Sequence, residues 1–120
     1  VTDTDELAEP NRLSITSALV DGVTVITVRG EIDHNTVGSL RQALTPPSGT
    51  AVPRTVADFS GVTFLDSGGI TVLIAAQQAH SGGGWLRLAG VQQPVLRVLQ
   101  LVGLDSLIDF HPTLRAALDA

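Results

Sequence analysis

Phe64-Leu65-Asp66-Ser67-Gly68-Gly69-Ile70 joins two kinds of apolar pattern. Before it, Thr55-Val56-Ala57-Asp58-Phe59 is a short apolar run of the strand type. After it, Ile70 to Ala79 is apolar at helical spacing. Ser67 falls where the helix begins and is read as its N-cap, because a serine oxygen can accept a hydrogen bond from a first-turn backbone N–H. That reading puts a hydroxyl at the positive end of a helix dipole, beside two glycines that leave room around it. Such a hydroxyl is either a cap or a place where phosphate can be added.

Working outward, Leu13-Ser14-Ile15-Thr16 and Val23-Thr24-Val25-Ile26-Thr27-Val28 both alternate, and Asp21-Gly22 between them is a two-residue turn signal. An antiparallel hairpin is expected. Gly30-Glu31-Ile32-Asp33-His34-Asn35-Thr36 ends the second strand and opens a helix, with Asn35 or Thr36 as its cap. Val37, Leu40, Ala43 and Leu44 form its apolar stripe, and Pro46-Pro47 stops it. The helix after Ser67 is expected to turn Ile70, Leu73, Ile74 and Gln77 to one face. Trp85-Leu86-Arg87-Leu88 alternates as a strand. Gln93-Pro94 starts a helix whose stripe is Val95, Leu96, Leu99 and Val102, with Gly103 as its stop. Leu107 to Phe110 is a short strand, and Pro112 begins a terminal helix carrying Leu114, Ala117 and Leu118. The order β-β-α-β-α-β-α-β-α predicts an α/β fold: a small mixed sheet, hairpin first and parallel strands after, flanked by four helices.

The chain has 120 residues and 43% hydrophobic side chains, enough for one domain with one core. Residues 1–12 are polar and acidic and are expected to be a flexible leader, with residues 13–120 as the single domain. A formal net charge of −5 argues against binding nucleic-acid phosphates. The absence of cysteine excludes disulfides, zinc-thiolate sites and Cys nucleophiles. The apolar run around Leu73 is far shorter than the ~20 residues of a membrane span. Residues 1–9 carry four acidic side chains rather than a basic start and an apolar run, so no secretory signal is expected and a cytoplasmic protein is.

Several chemistries fail on spacing. A P-loop needs a lysine, and the chain has none. Gly82-Gly83-Gly84 precedes a strand, which suits a turn rather than a dinucleotide fingerprint. A nucleophile elbow around Ser67 is broken by Leu65 where glycine is required, so a small hydrolase is the weakest reading. Asp33-His34-Asn35 lacks a second ligand cluster and reads as a helix-entry loop rather than a metal site. His34, His80 and His111 read as structural. No cofactor and no enzymatic activity are expected. Asp33 and Asp66 both stand at strand-to-helix transitions, which in a parallel sheet share one edge, where ligands and partners bind.

The stretches from Gly30 to Thr36 and from Asp58 to Ile70 together resemble the anti-sigma factor antagonists of the sulphate transporter and anti-sigma factor antagonist (STAS) domain family. The resemblance runs from about Leu13 to Leu118. It implies a STAS-type sheet with helices on one side. It also implies that Ser67, after the aspartate of the D-S-x-G motif, is phosphorylated by an anti-sigma factor that is also a serine kinase. The unphosphorylated protein would bind that factor and free a sigma factor in a bacterial partner switch, and a serine phosphatase would reset it. The implied partner surface comprises Asp33, His34, Asn35, Asp66, Ser67, Gly68 and Gly69. Where many members have a second Ser or Thr, this chain has Gly68. The alternative is an adaptor module of a stress-signalling or lipid-transport assembly. A monomer is the default expectation, with homodimerisation through the edge strand near Leu13 as the other option.

Overall fold

Asp21 and Gly22 have φ of +51° and +81°, the backbone of a type I′ turn, whose twist matches that of the strands it joins. It connects β1 (Ser14–Val20) to β2 (Val23–Ile32) in the expected antiparallel hairpin. The computed structural model describes residues 13–47, 49 and 52–120; the leader expected over residues 1–12 lies outside them. α1 (Val37–Leu44), β3 (Arg54–Leu65), α2 (Ser67–Ala79), β4 (Trp85–Ala89), α3 (Gln93–Leu101), β5 (Asp109–His111) and α4 (Leu114–Asp119) follow. A short 3₁₀ turn at Leu104–Ser106 precedes β5.

The five strands form one sheet in the order β1-β2-β3-β4-β5, and every pair after the hairpin is parallel. A sequential order with crossovers of one hand puts all three connecting helices on the same face. There Leu40 and Leu44 of α1, Val72, Leu73 and Ala76 of α2, and Val95 and Leu99 of α3 pack on Ile26, Val28, Ala57, Leu86 and Leu88. The expectation of helices on one side only is corrected by α4. It follows the last strand, so no crossover rule binds it, and it crosses to the opposite face. There Ala117, Leu114 and Leu118 cover Val23, Val56 and Ala89.

Three smaller expectations also change. The buried face of α2 is Gly69, Val72, Leu73 and Ala76, while Ile70 and Ile74 are only partly covered and pack at its flank. Val102 lies past the end of α3 and is exposed. Pro112 precedes α4 rather than beginning it: Thr113 is the N-cap, its hydroxyl accepting from Ala116 N at 3.1 Å. Among the described residues, no helix is long and apolar enough to cross a membrane.

β2 and β3 outrun their neighbour. β4 pairs with β3 only from Arg54 to Asp58, whereas β3 stays paired to β2 as far as Ile32 opposite Leu65. Register shifts after Thr27 and Gly30 bend this extension. The two strands thus form a projecting tip from which α1 follows β2 and α2 follows β3, side by side on one face.

Candidate functional site

Ile32 and Leu65 are paired across the tip, so the residues after them, Asp33 and Asp66, begin adjacent loops. The loops are joined directly: Asp66 N donates to the Ile32 carbonyl at 3.1 Å. Sequence spacing placed each aspartate at a strand-to-helix transition, and the register brings the two transitions together.

Each carboxylate organises its own loop. Asp33 Oδ1 accepts from Asn35 N at 2.9 Å and Thr36 N at 3.2 Å. The Thr36 hydroxyl accepts from Asp33 N at 2.9 Å and donates to the Glu31 carbonyl at 2.8 Å. Thr36, one of the two expected caps of α1, is its N-cap residue by backbone position, but its side chain braces the loop instead of capping the helix. His34 and Asn35 are left exposed at the loop's crest.

The N-cap of α2 is Asp66, not Ser67. Asp66 is in extended backbone, and its Oδ1 accepts from Gly68 N at 2.9 Å and Gly69 N at 3.2 Å. A carboxylate one residue earlier reaches the N2 and N3 donors and adds charge complementarity with the dipole. That capping leaves Ser67 as the first helical residue, and its hydroxyl has no hydrogen-bond partner among the described residues. The side chain is exposed. Its carbonyl accepts from the Thr71 hydroxyl at 3.1 Å.

Gly68 is half-buried beside α1: a Cβ there would lie 3.2 Å from Asp66 Oδ1 and 3.8 Å from Val37 Cγ2. Gly69, expected on the partner surface, is instead buried. A Cβ on it would stand 2.8 Å from Leu65 Cγ and 2.9 Å from Ile32 Cγ2. It lets the start of α2 lie directly on the strand tip, and so fixes where Ser67 emerges.

Phe64 is the residue that the sequence pattern passed over. It is paired with Glu31, one residue before the buried Leu65, and is 48% exposed. A large ring left half in water at the strand tip is the kind of group that anchors a protein contact. The available signal was the strand's phase, since neighbours on one strand face opposite sides. Asp33 and Asp66 have no ion-pair partner among the described residues, and Glu31 adds a third carboxylate to the tip. The surface around Ser67 is therefore acidic, with one free hydroxyl, while Phe64 and Glu31, one residue out of phase with Leu65 and Ile32, face the other side of the tip.

His80 closes the other end of α2. It is 1% exposed. Its Nδ1 lies 2.7 Å from the Ala76 carbonyl and its Nε2 lies 2.8 Å from the Thr55 hydroxyl. A carbonyl can only accept, so Nδ1 carries the proton, and in the neutral ring Nε2 accepts from Thr55. Nδ1 closes the last turn of α2 on itself and Nε2 ties that end to the start of β3, the structural role expected of His80.

The family model described as Mlab, STAS domain matches residues 15–109. The anti-sigma-F factor antagonist RsfB of Mycobacterium tuberculosis is 29% identical over 112 residues, covering 93% of this chain and 92% of its own. The crystal structure of an anti-sigma factor antagonist from Mycobacterium paratuberculosis superposes with a TM-score of 0.79 at 32% identity, over 92% of this chain and 94% of that one. The Bacillus protein SpoIIAA has the same fold: its unphosphorylated form gives a TM-score of 0.73 at 24% identity, over 88% and 94% of the two chains, and a phosphorylated form is also known. With a family model spanning most of its length and a solved relative of matching sheet, helices and size, the chain belongs to the STAS domain family.

Proposed function

We propose that this protein is an anti-sigma factor antagonist whose unphosphorylated form binds an anti-sigma factor through the tip that carries Ser67. The carrying observation is the free Ser67 hydroxyl, set at the first position of α2 by the Asp66 cap. The relatives named as anti-sigma factor antagonists match over nearly the whole chain, which favours this partner class. Asp33, His34, Asn35, Asp66, Ser67 and Gly68 would form the contact surface, with Phe64 as an apolar anchor on the other side of the tip and Gly69 holding the helix from beneath.

In this reading the chain is a substrate rather than an enzyme. A serine kinase, the anti-sigma factor itself, transfers the terminal phosphoryl group of ATP to Ser67 Oγ. The Oγ–P bond forms as the bond to ADP breaks, and the hydroxyl proton leaves to a base on the kinase. A serine phosphatase reverses the state by hydrolysis. The setting would be the bacterial cytoplasm, and the chain itself would contact neither nucleic acid nor membrane.

The phosphate adds roughly −1.5 to −2 charges at pH 7. The Asp66 carboxylate already holds the Gly68 and Gly69 N–H groups, so the new charge stands against a carboxylate instead of sitting in an open nest of donors. Desolvating that pair against a partner costs several kcal/mol, or on the order of 10²-fold in affinity. The test is to incubate the protein with ATP, Mg²⁺ and each candidate anti-sigma kinase of the same genome, and to measure mass and binding for wild type and Ser67→Ala. One added phosphate, absent in Ser67→Ala and accompanied by loss of the complex, supports the switch. A complex indifferent to phosphorylation at Ser67 sinks it. One second reading is an adaptor in a lipid-transport or stress-signalling assembly, since the matching family model is that of the STAS domain and names no anti-sigma factor. Pull-down that recovers only such components would favour it.

A further inference from the structure

A second feature lies at the other end of the sheet, on the face that α4 covers. β3 begins at Arg54 and ends at Leu65, so the start of β3 is on the order of 30 Å from the Ser67 tip at the usual strand rise. Here a groove of about 300 Å³ opens between the β1–β2 turn and the C-terminal half of α4. Arg54, Trp85 and Arg87 line it from the sheet and Arg115 lines it from α4. Three of the chain's seven arginines therefore line one groove of a protein with net charge −5.

Their placement follows from register. Arg54 is paired with Trp85, and Arg87 lies two residues further along β4 on the same face. Two cations sit diagonally across neighbouring strands, an arrangement that repels unless something neutralises it. No carboxylate does so for Arg54 or Arg87: neither has an ion-pair partner among the described residues. Asp21 and Asp119 border the groove, but Asp119 is engaged, loosely, with Arg115 at 3.9 Å, both side chains being largely exposed. Asp21, Asp119 and Ala120 share the lining with the three guanidiniums, yet none of them is paired with Arg54 or Arg87.

Arg87 carries the argument furthest. Its guanidinium carbon lies 3.7 Å from the centroid of the Trp85 ring, and its Nη1 donates to the Ala117 carbonyl at 2.9 Å. These contacts fix the plane of the fork and hold α4. Yet Nε is buried without a partner, and Nη2 has none among the described residues. A clamp for α4 would need one donor and would not need Arg54 beside it. A stacked, pre-oriented guanidinium with Nη2 still open, flanked by two further guanidiniums, suits an oxyanion, which arginine binds through charge-assisted N–H···O bonds.

We propose that this groove binds a small multivalent oxyanion, carried on a phosphoryl or a polycarboxylate ligand, through Arg54, Arg87 and Arg115. The volume, at the lower end of the range for ligand pockets, limits the occupant to a small molecule. The site is separate from the Ser67 surface, so the two readings stand or fall independently.

The chain supplies its own reporter, since Trp85 is its only tryptophan and it has no tyrosine. The whole protein is titrated with sodium pyrophosphate, and separately with citrate, at ionic strength held constant with sodium chloride. Trp85 emission and the indole N–H shift are followed. At least one anion is expected to give a saturable change in either signal that chloride does not, and the anion that does so identifies the ligand source. Arg54→Gln with Arg115→Gln, both at exposed positions that leave Arg87 and α4 in place, is expected to weaken binding at least fivefold with an unchanged far-UV spectrum. Ser67→Ala is expected to bind as wild type. If neither anion saturates either signal, or if the double variant binds as wild type, the proposal is wrong.

Discussion

Asp66 N donates to the Ile32 carbonyl at 3.1 Å, and this bond makes one surface of two loops. Ile32 precedes Asp33, and Asp66 precedes Ser67. A shift of either loop is therefore felt by the other through the backbone, without a side chain between them. The same Asp66 caps α2, so the residue that joins the loops also sets the height at which Ser67 stands.

Asp66→Ala should lower stability by about 0.5–2 kcal/mol, the usual loss for an N-cap. It frees the Gly68 and Gly69 N–H groups that Oδ1 now accepts from. Asp66→Asn, which retains an acceptor, should lose less. Urea unfolding of the three proteins checks the order; equal midpoints would mean that the cap contributes nothing.

Gly69→Ala should cost about 1–3 kcal/mol, the range for overpacking a filled core. Its Cβ would stand 2.8 Å from Leu65 Cγ and 2.9 Å from Ile32 Cγ2, both on a paired strand tip with little freedom to move. Gly68→Ala meets nothing nearer than Asp66 Oδ1 at 3.2 Å and should cost less. Thermal unfolding of the two variants side by side decides this, and a Gly68→Ala protein less stable than Gly69→Ala would contradict the packing described.

Much of this was legible in the chain, and the exceptions have physical reasons. Asp21-Gly22 announces its turn because few residue pairs accept two positive φ values in succession. The alternation of helices and strands after Val23 fixes a parallel sheet. The cap of α2 was not legible, because Asp and Ser are both good N-caps and stand side by side. Backbone conformation chose between them: Asp66 is extended while Ser67 is already helical. The second covered face was written in β4, where Trp85, Arg87 and Ala89 alternate with Leu86 and Leu88. A strand with large or apolar residues in both phases has both faces occupied, but the phase alone does not say by what. The nearness of Asp33 to Asp66 depends on the pairing of Ile32 with Leu65, a long-range register that no local pattern contains.

Thr55→Val should destabilise by about 1–3 kcal/mol, although it keeps shape and adds apolar surface. The valine would leave His80 Nε2 buried without the hydroxyl that now lies 2.8 Å away, and an orphaned buried polar atom costs in that range. Chemical denaturation measures the loss. An equal or higher midpoint in Thr55→Val would mean that the ring finds water or another partner.

Phosphorylation of Ser67 should change the stability of the isolated domain by less than about 1 kcal/mol, because two local effects oppose each other. The dipole of α2 favours a negative charge at its first position by roughly 0.3–1 kcal/mol in an exposed setting. Asp66, next in sequence and already using the Gly68 and Gly69 N–H groups, disfavours it by a similar exposed-pair term. Ser67 has no buried contact to lose, since its side chain is exposed and its hydroxyl unpartnered among the described residues. Melting curves of the enzymatically phosphorylated and unmodified protein should nearly coincide, with amide shifts confined to the starts of α1 and α2. A large drop in melting temperature, or shifts spread through β3 and β4, would place the effect of the phosphate in the fold rather than at the surface.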